Sequence, residues 1–277
     1  TITSIAESAF SNKNLSSISL PSSILSIARY SFNNNDLVML VLPERLQTLG
    51  QGAFSSNKLQ KLEIPGSLTE LAPSSFSRNE LTKVIMQEGV KTIRGSSFTN
   101  NKIERLELPS SIETISGDAF YDNNITELIW ASGGSIDANI VDNAFQKNAL
   151  TKITLPANIT DIGSGAFSDN NLIAVSFLGD RPGGDAKTPL KGSLSGQAFE
   201  NNENLTSIFY CETNKGWPGS RIIVLPASSE TSGVFTLPQS DCDFDGVPLI
   251  SDIAPSDPTN DSDGDGVDNN LDYFPMD

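Results

Sequence analysis

The chain has 277 residues, 37% of them hydrophobic, a formal net charge of −16 and no histidine. The lack of histidine excludes Ser-His-Asp and Cys-His nucleophile systems and histidine-bearing metal sites. The negative charge argues against nucleic acid as a partner, because nucleic acid binding depends on Lys and Arg. No apolar run approaches the roughly 18 residues that a membrane-spanning helix needs, so we expect no membrane insertion of this chain.

A phenylalanine recurs every 22 residues for five steps, and then after 25, 22 and 32 residues. Counted from each phenylalanine, apolar residues recur at positions +5, +8, +10, +14 and +17, and a proline follows position +10 in five units. The phenylalanines are Phe10, Phe32, Phe54, Phe76, Phe98, Phe120, Phe145, Phe167 and Phe199. The pattern predicts one coil per repeat, with a short strand whose two apolar ends point inward and which ends at the proline. We predict that the other half of the repeat is turn-rich or 3₁₀-like.

An asparagine lies three residues after the phenylalanine in eight of the nine units. These residues are Asn35, Asn57, Asn79, Asn101, Asn123, Asn148, Asn170 and Asn202. A buried turn in every coil leaves backbone N–H and C=O groups that need partners, and an asparagine amide supplies two donors and an acceptor. We therefore predict a structural ladder; a solvent-facing binding ladder is the alternative.

These units resemble bacterial leucine-rich repeats of the BspA (Treponema) type over about residues 1–215. The resemblance implies an α/β, β-rich, right-handed solenoid of about nine coils of 22 residues, in which each coil buries its apolar row against its neighbours. It also implies a surface adhesin. We expect a solenoid with a C-terminal cap over 1–225, a linker over 226–240 and a different segment over 241–277.

The outward positions of the predicted strands form a surface that we call the strand face. A row of basic residues there flanks exposed aliphatic side chains, which is typical of an interaction surface. The candidate ligand-binding residues are Met39, Val41, Lys61, Lys83, Ile85, Arg105, Ile129 and Lys152. In the alternative interpretation, the charges only balance one another as pairs, Lys61 with Glu63 and Arg105 with Glu107. A Gly- and Pro-rich insertion at 178–193 is a second candidate for binding.

The last 37 residues, 241–277, contain 11 Asp and no Lys or Arg. Two stretches place Asp at positions 1, 3, 5 and 12 and Gly at position 6, a spacing that aims carboxylates at one Ca2+ ion and lets the carbonyl at position 7 join them. They resemble thrombospondin type 3 calcium repeats. The candidate metal ligands are Asp241, Asp243, Asp245, Val247, Asp252, Asp257, Asp261, Asp263, Asp265, Val267, Asp272 and Asp277. A solvated acidic linker is the alternative.

The chain has two cysteines, Cys211 and Cys242. Extracellular proteins usually pair their cysteines, so we expect a disulfide that ties the acidic segment to the end of the solenoid. Trp217 is predicted to cover that end, with a sugar-stacking platform as the alternative.

Together these features predict an extracellular or bacterial cell-surface binding or adhesion module, with a protein or glycan ligand and a calcium-stabilised C-terminal segment. We expect a monomer. A structural spacer or stalk is the alternative. A glycosidase would need two carboxylates around a pocket, and Glu63 and Glu107 stand two coils apart beside basic residues, so we do not expect an enzyme.

Overall fold

The computed structural model describes residues 2–131, 138–179 and 196–211, together with the short stretches 184–185, 188–189, 222–223 and 234–239. In chain order the first ten strands are β1 (Ser4–Ile5), β2 (Ser26–Ile27), β3 (Thr48–Leu49), β4 (Lys61–Ile64), β5 (Glu70–Leu71), β6 (Lys83–Met86), β7 (Thr92–Ile93), β8 (Arg105–Leu108), β9 (Thr114–Ile115) and β10 (Glu127–Trp130). The others are β11 (Ala138–Ile140), β12 (Lys152–Leu155), β13 (Ile159–Ile162), β14 (Ala174–Phe177), β15 (Gly184–Asp185), β16 (Thr188–Pro189), β17 (Ser207–Cys211), β18 (Ile222–Ile223) and β19 (Val234–Gln239). Nothing else is described from 180 onward except 196–206.

The predicted solenoid is confirmed. We number the coils from the phenylalanines, so that the second coil is residues 32–53, the third 54–75 and the fourth 76–97. Strands of successive coils lie side by side in parallel, with Cα partners 22 residues apart, as between Lys61 and Lys83. The described residues contain no helix, and thus none long and apolar enough to cross a membrane.

The second side of each coil differs from the prediction, because it also contributes a strand. Strands of two to four residues form two parallel sheets there, in the orders β1-β2-β3 and β13-β11-β9-β7-β5. In each two-residue strand the second side chain packs inward: Ile93 and Ile115 are fully buried, while Thr92 and Thr114 are partly exposed. Two residues are too few to give the alternating pattern by which a strand is recognised in a sequence.

The nine phenylalanines form one continuous column of stacked rings. Neighbouring ring centroids lie 5.1–5.8 Å apart, and the ring planes deviate from parallel by 3–15°. The six rings from Phe54 to Phe167 are fully buried, whereas Phe10 is 42% exposed at the first coil. Inward strand positions such as Leu62 and Ile64 complete the core beside this column.

The asparagines form the predicted structural ladder inside the coils. Asn79 is buried, and its Nδ2 donates to the carbonyl oxygens of Phe54 and Phe76 at 3.0 and 3.1 Å. Its Oδ1 accepts a hydrogen bond from the backbone N–H of Leu59, 3.1 Å away in the preceding coil. The same contacts recur in the other coils, as at Asn101. The alternative of a solvent-facing binding ladder is therefore wrong.

Proline shortens or removes the pairing of strands on the strand face. Where Gln87 follows a strand, its N–H donates to the carbonyl of Ile64 at 3.0 Å, and β4 and β6 pair over four residues. Where Pro109 follows a strand there is no N–H to donate, and β6 and β8 pair over two residues. Pro65 likewise has no N–H to donate to the second coil, and the strand-face segment 39–42 of that coil is not a strand. The strand-face sheet, in the order β10-β8-β6-β4, therefore has β4 as its edge.

The second-side sheet is also interrupted between the second and third coils. There β3 and β5 belong to separate sheets. The hydroxyl of Ser67 bridges this interval by donating to the carbonyl oxygens of Glu44 and Leu46 at 2.7 and 2.8 Å. The phenylalanine side stays continuous, because the side-chain amide of Asn57 in the third coil donates to the carbonyl of Phe32 in the second coil at 3.0 Å. The second and third coils are thus bonded closely on one side and more loosely on the other.

The sixth coil is three residues longer than the coils before it, and its residues 132–137 are not described. After this coil the strand face continues as a separate sheet, in the order β12-β14-β17-β19-β18. In that sheet β19 lies inside the segment predicted as a linker, 226–240, and pairs in parallel with β17.

Candidate functional site

A groove of about 540 Å³ lies on the strand face across the second, third and fourth coils. It contains five of the eight candidate ligand-binding residues, namely Met39, Val41, Lys61, Lys83 and Ile85. The strand alternation places them there: Lys61 and Glu63 of β4 point outward, and Leu62 and Ile64 between and after them point inward. The outward and inward positions along these strands are as the repeat predicts, and the structure shows where on the strand face the surface is recessed.

The apolar part of the groove is unusually exposed. Met39 is 74% exposed, Val41 79% and Ile85 45%. Met39 and Val41 come from the second coil, next to the free edge of β4, and Ile85 comes from β6. Exposed aliphatic side chains gathered in one recess form an apolar surface that a partner can cover.

The basic part of the groove consists of Lys61 and Lys83, which are direct neighbours in the register of β4 and β6. Both side chains are exposed, and within the described ranges neither takes part in an ion pair. The expected pair of Lys61 with Glu63 is not formed; the Glu63 carboxylate instead accepts a hydrogen bond from the Gln87 amide at 3.0 Å. Two adjacent positive charges therefore face solvent outside any ion pair of the described residues, while the carboxylates of Glu44 and Glu63 line other parts of the same groove.

Arg105, one coil further along, is different. Its guanidinium contacts Glu107 at 2.8 Å and Glu127 of the next coil at 3.0 Å. The hydrogen bond to Glu107 is the largest cause that raises the pKa of Arg105, and the negative charge of Glu127 contributes as well. The interpretation that the strand-face charges only balance one another as pairs therefore holds for Arg105, but it does not hold for Lys61 and Lys83.

The remaining candidates lie outside the groove. Ile129 is partly buried on β10, and Lys152 is exposed at the start of β12 in the following sheet. Sequence reasoning missed Glu44 and Gln60, which also line the groove. Glu44 stands in the loop directly after Pro43, outside the outward positions of the strand pattern, so the pattern gave no signal for it.

The two carboxylates considered for a glycosidase are each held by another side chain, Glu63 by Gln87 and Glu107 by Arg105. The strand β6 lies between their strands, and it carries the exposed Ile85. This arrangement does not resemble a pair of carboxylates that flank a scissile bond.

The other predicted sites fall wholly or mostly outside the described residues. This applies to all twelve candidate calcium ligands between 241 and 277, to Cys242 and to Trp217. The backbone of Cys211 ends β17. Within the insertion 178–193, the described parts include β15 and β16, which pair in antiparallel.

The chain is similar to several solved structures, which include the following three. The pneumococcal vaccine antigen PcpA is 21% identical, with 76% of this chain and 67% of that chain covered and a TM-score of 0.48. A leucine-rich repeat protein from Bacteroides ovatus is 20% identical over 76% of this chain and 59% of that one, with a TM-score of 0.54. A leucine rich cell surface protein from Faecalibacterium prausnitzii is 17% identical over 78% of this chain and 65% of its own, with a TM-score of 0.36. The Bacteroides structure supports the fold.

A search of the curated proteins gives no match. The family model for the "BspA type Leucine rich repeat region" matches six copies, over residues 3–127 and 138–217. These ranges cover most of the chain and coincide with the column of phenylalanines and the ladder of asparagines. The chain therefore belongs to the family of BspA-type leucine-rich repeat proteins.

Proposed function

We propose that the chain is a binding or adhesion module that acts outside the cell or at the bacterial cell surface and uses the strand face to hold a protein or glycan. The observation that carries the proposal is the groove, where exposed Met39, Val41 and Ile85 lie beside the unpaired cations Lys61 and Lys83. Covering this aliphatic surface gains hydrophobic free energy, and a negative partner gains from the lysines.

The solenoid suits this role because its binding groups are held in place before the partner arrives. The groove side chains of β4 and β6 rest on a four-strand sheet whose inward residues are buried. A surface ordered in advance pays less conformational entropy on binding than a loop that must become ordered.

The calcium segment and the disulfide belong to the same proposal. The two Asp spacings in 241–277 support Ca2+ as a ligand of the C-terminal segment, by the geometry of an oxygen-rich turn. The register of β17 and β19 supports the disulfide, since it sets Gln239 beside Cys211. Cys242 follows three residues later, a length of chain that reaches at most about 10 Å.

The test is an array of purified matrix proteins and glycans, probed with the complete chain in calcium and again with a chelator. We expect hits that are lost in the triple variant Lys83→Gln, Ile85→Ser and Arg105→Gln. A matched control, Lys91→Gln, Arg94→Gln and Val141→Ser, removes the same kinds of side chain on the second side. Hits that survive the first triple substitution contradict the strand face as the binding surface, and an array without hits favours the spacer alternative.

A further inference from the structure

The groove is lined by two glutamates, Glu44 and Glu63, and by two lysines, and the adjacent lysines outside any ion pair indicate which chemical group of a partner could bind there. Lys61 and Lys83 are Cα partners in a parallel ladder, and like charges on directly neighbouring strands repel each other. The next residue in this row, Arg105, has two carboxylates of its own. A carboxylate placed over Lys61 and Lys83 would accept hydrogen bonds from both ammonium groups and remove the repulsion between them.

The apolar groups of the groove narrow the choice between peptide and glycan. Met39, Val41 and Ile85 are aliphatic, and the groove-lining residues that the structure describes include no aromatic ring. A sugar ring presents hydroxyl groups and favours flat aromatic surfaces and many hydrogen-bond partners. Aliphatic side chains, and a flexible methionine above all, instead pack well against the aliphatic side chains of a protein. The composition of the recess therefore favours a polypeptide.

The spacing of the groups indicates an extended partner. Successive coils are about 4.8 Å apart, so Val41 and Ile85, which stand two coils apart, are separated by about 10 Å. In an extended peptide, side chains on the same face repeat about every 7 Å. A few residues of an extended chain therefore suffice to span the aliphatic groups and the lysine pair together.

We propose that this groove docks an extended protein segment in which Asp or Glu stands close to aliphatic residues. The carboxylate binds between Lys61 and Lys83, and the aliphatic side chains cover Met39, Val41 and Ile85. This inference rests on the proposed function and adds the chemistry of the partner to it.

The experiment is to pan a phage-displayed library of random dodecapeptides on the complete chain, and to measure the affinity of enriched synthetic peptides by fluorescence anisotropy. We expect enriched peptides with Asp or Glu near Val, Leu or Ile. The variant Lys61→Gln/Lys83→Gln should weaken them by about fivefold for each lysine, the upper range for exposed ion pairs, and should abolish most of the salt dependence of binding. The variant Lys13→Gln/Lys102→Gln removes two exposed lysines outside the groove and should bind as wild type does.

Each other outcome overturns the inference. Peptides without acidic residues, or peptides that bind Lys61→Gln/Lys83→Gln as tightly as wild type, contradict the carboxylate. If the library yields no peptide but hyaluronan binds through the two lysines, the partner is an acidic glycan. These outcomes concern the peptide inference alone. The proposed function is decided by the array: it stands if the hits depend on the strand face, and it fails if they do not.

Discussion

The amide Oδ1 of Asn79 accepts the backbone N–H of Leu59 at 3.1 Å and so joins two successive coils inside the core. The variant Asn79→Ala leaves this N–H and the carbonyls of Phe54 and Phe76 without their side-chain partner. Because buried groups left unpaired are costly, we expect a loss of about 3 kcal/mol of unfolding free energy. Urea unfolding measures it. The exposed Asn124→Ala is the control, and an equal effect of both variants would contradict a role for burial.

The phenylalanine column gives a prediction that depends on position. Phe98 stacks on Phe76 and Phe120 at 5.6 and 5.2 Å and is fully buried. Phe98→Ala should cost about 3–5 kcal/mol, the usual range for a buried phenylalanine. Phe10 contacts one ring and is 42% exposed, so Phe10→Ala should cost clearly less. Similar thermal unfolding midpoints for the two variants would contradict the one-dimensional packing of the coils.

The turns contain residues other than glycine in the left-handed region, such as Ser74 with φ of 57°. This conformation costs an L-residue about 1–2 kcal/mol, and glycine avoids the cost at some loss of entropy. We expect Ser74→Gly to stabilise the chain by about 0.5–1 kcal/mol in urea unfolding. The opposite kind of substitution at another turn, Gly52→Ala, should destabilise the chain, since φ is 61° at Gly52 and an added Cβ would lie 2.5 Å from the Tyr30 ring. Opposite signs would show that these turns do not hold the left-handed conformation.

Glu88 gives the chain a predictable response to acid. Its carboxylate accepts hydrogen bonds from the backbone N–H groups of Ser110 and Ser111, at 2.8 and 3.2 Å, and the bond from Ser110 is the main cause that lowers the pKa of Glu88. The pKa is lower in the folded chain than in the unfolded chain. Stability from this group is therefore complete above its ordinary value of 4.5 and is lost as the pH falls below it.

The variant Glu88→Gln tests this response. It should unfold at a lower temperature than wild type at neutral pH, and the difference should shrink as the pH is lowered through the acidic range. Glu104→Gln, which removes an exposed carboxylate elsewhere on the solenoid, is the control variant measured over the same pH range. A constant difference at all pH values would contradict the assignment.

The calcium segment predicts a metal-dependent resistance to proteolysis. Adding Ca2+ to the complete chain should slow cleavage within 241–277, because bound metal stabilises the conformation that binds it. The variant Asp263→Asn/Asp265→Asn removes two candidate ligands of the second site and should lower the protection. Equal cleavage rates with saturating calcium and with chelator would refute the site.

The repeat made much of the fold predictable. The recurrence of Phe and Asn every 22 residues defines both columns. The Phe rings stack at identical positions of adjacent coils, and each buried Asn bonds the same set of backbone groups in its own and the preceding coil. The exposure of Ile85 follows from the alternation of inward and outward residues along β6, and Val41 occupies the equivalent outward position of its coil although 39–42 is not a strand. Such features depend on local spacing alone, which a sequence displays directly.

The groove could not be predicted in the same way. Lys61 and Arg105 both stand two residues before a glutamate, and only Arg105 pairs with it. The difference arises from the adjacent coils, which place Glu127 beside Arg105 and Lys83 beside Lys61. The recess lies where Pro65 has no N–H to offer the second coil and where segment 39–42 does not join the sheet, and both depend on contacts between coils that a single repeat does not display.

The uneven joint between the second and third coils has a mechanical consequence. The stack of Phe32 on Phe54, 5.2 Å apart, holds one edge of the joint, while the opposite edge relies on the hydroxyl of Ser67 in place of continuous sheet. We therefore expect the stack to bend more easily at this joint, which borders the recess beside Val41, than at joints where both edges are continuous.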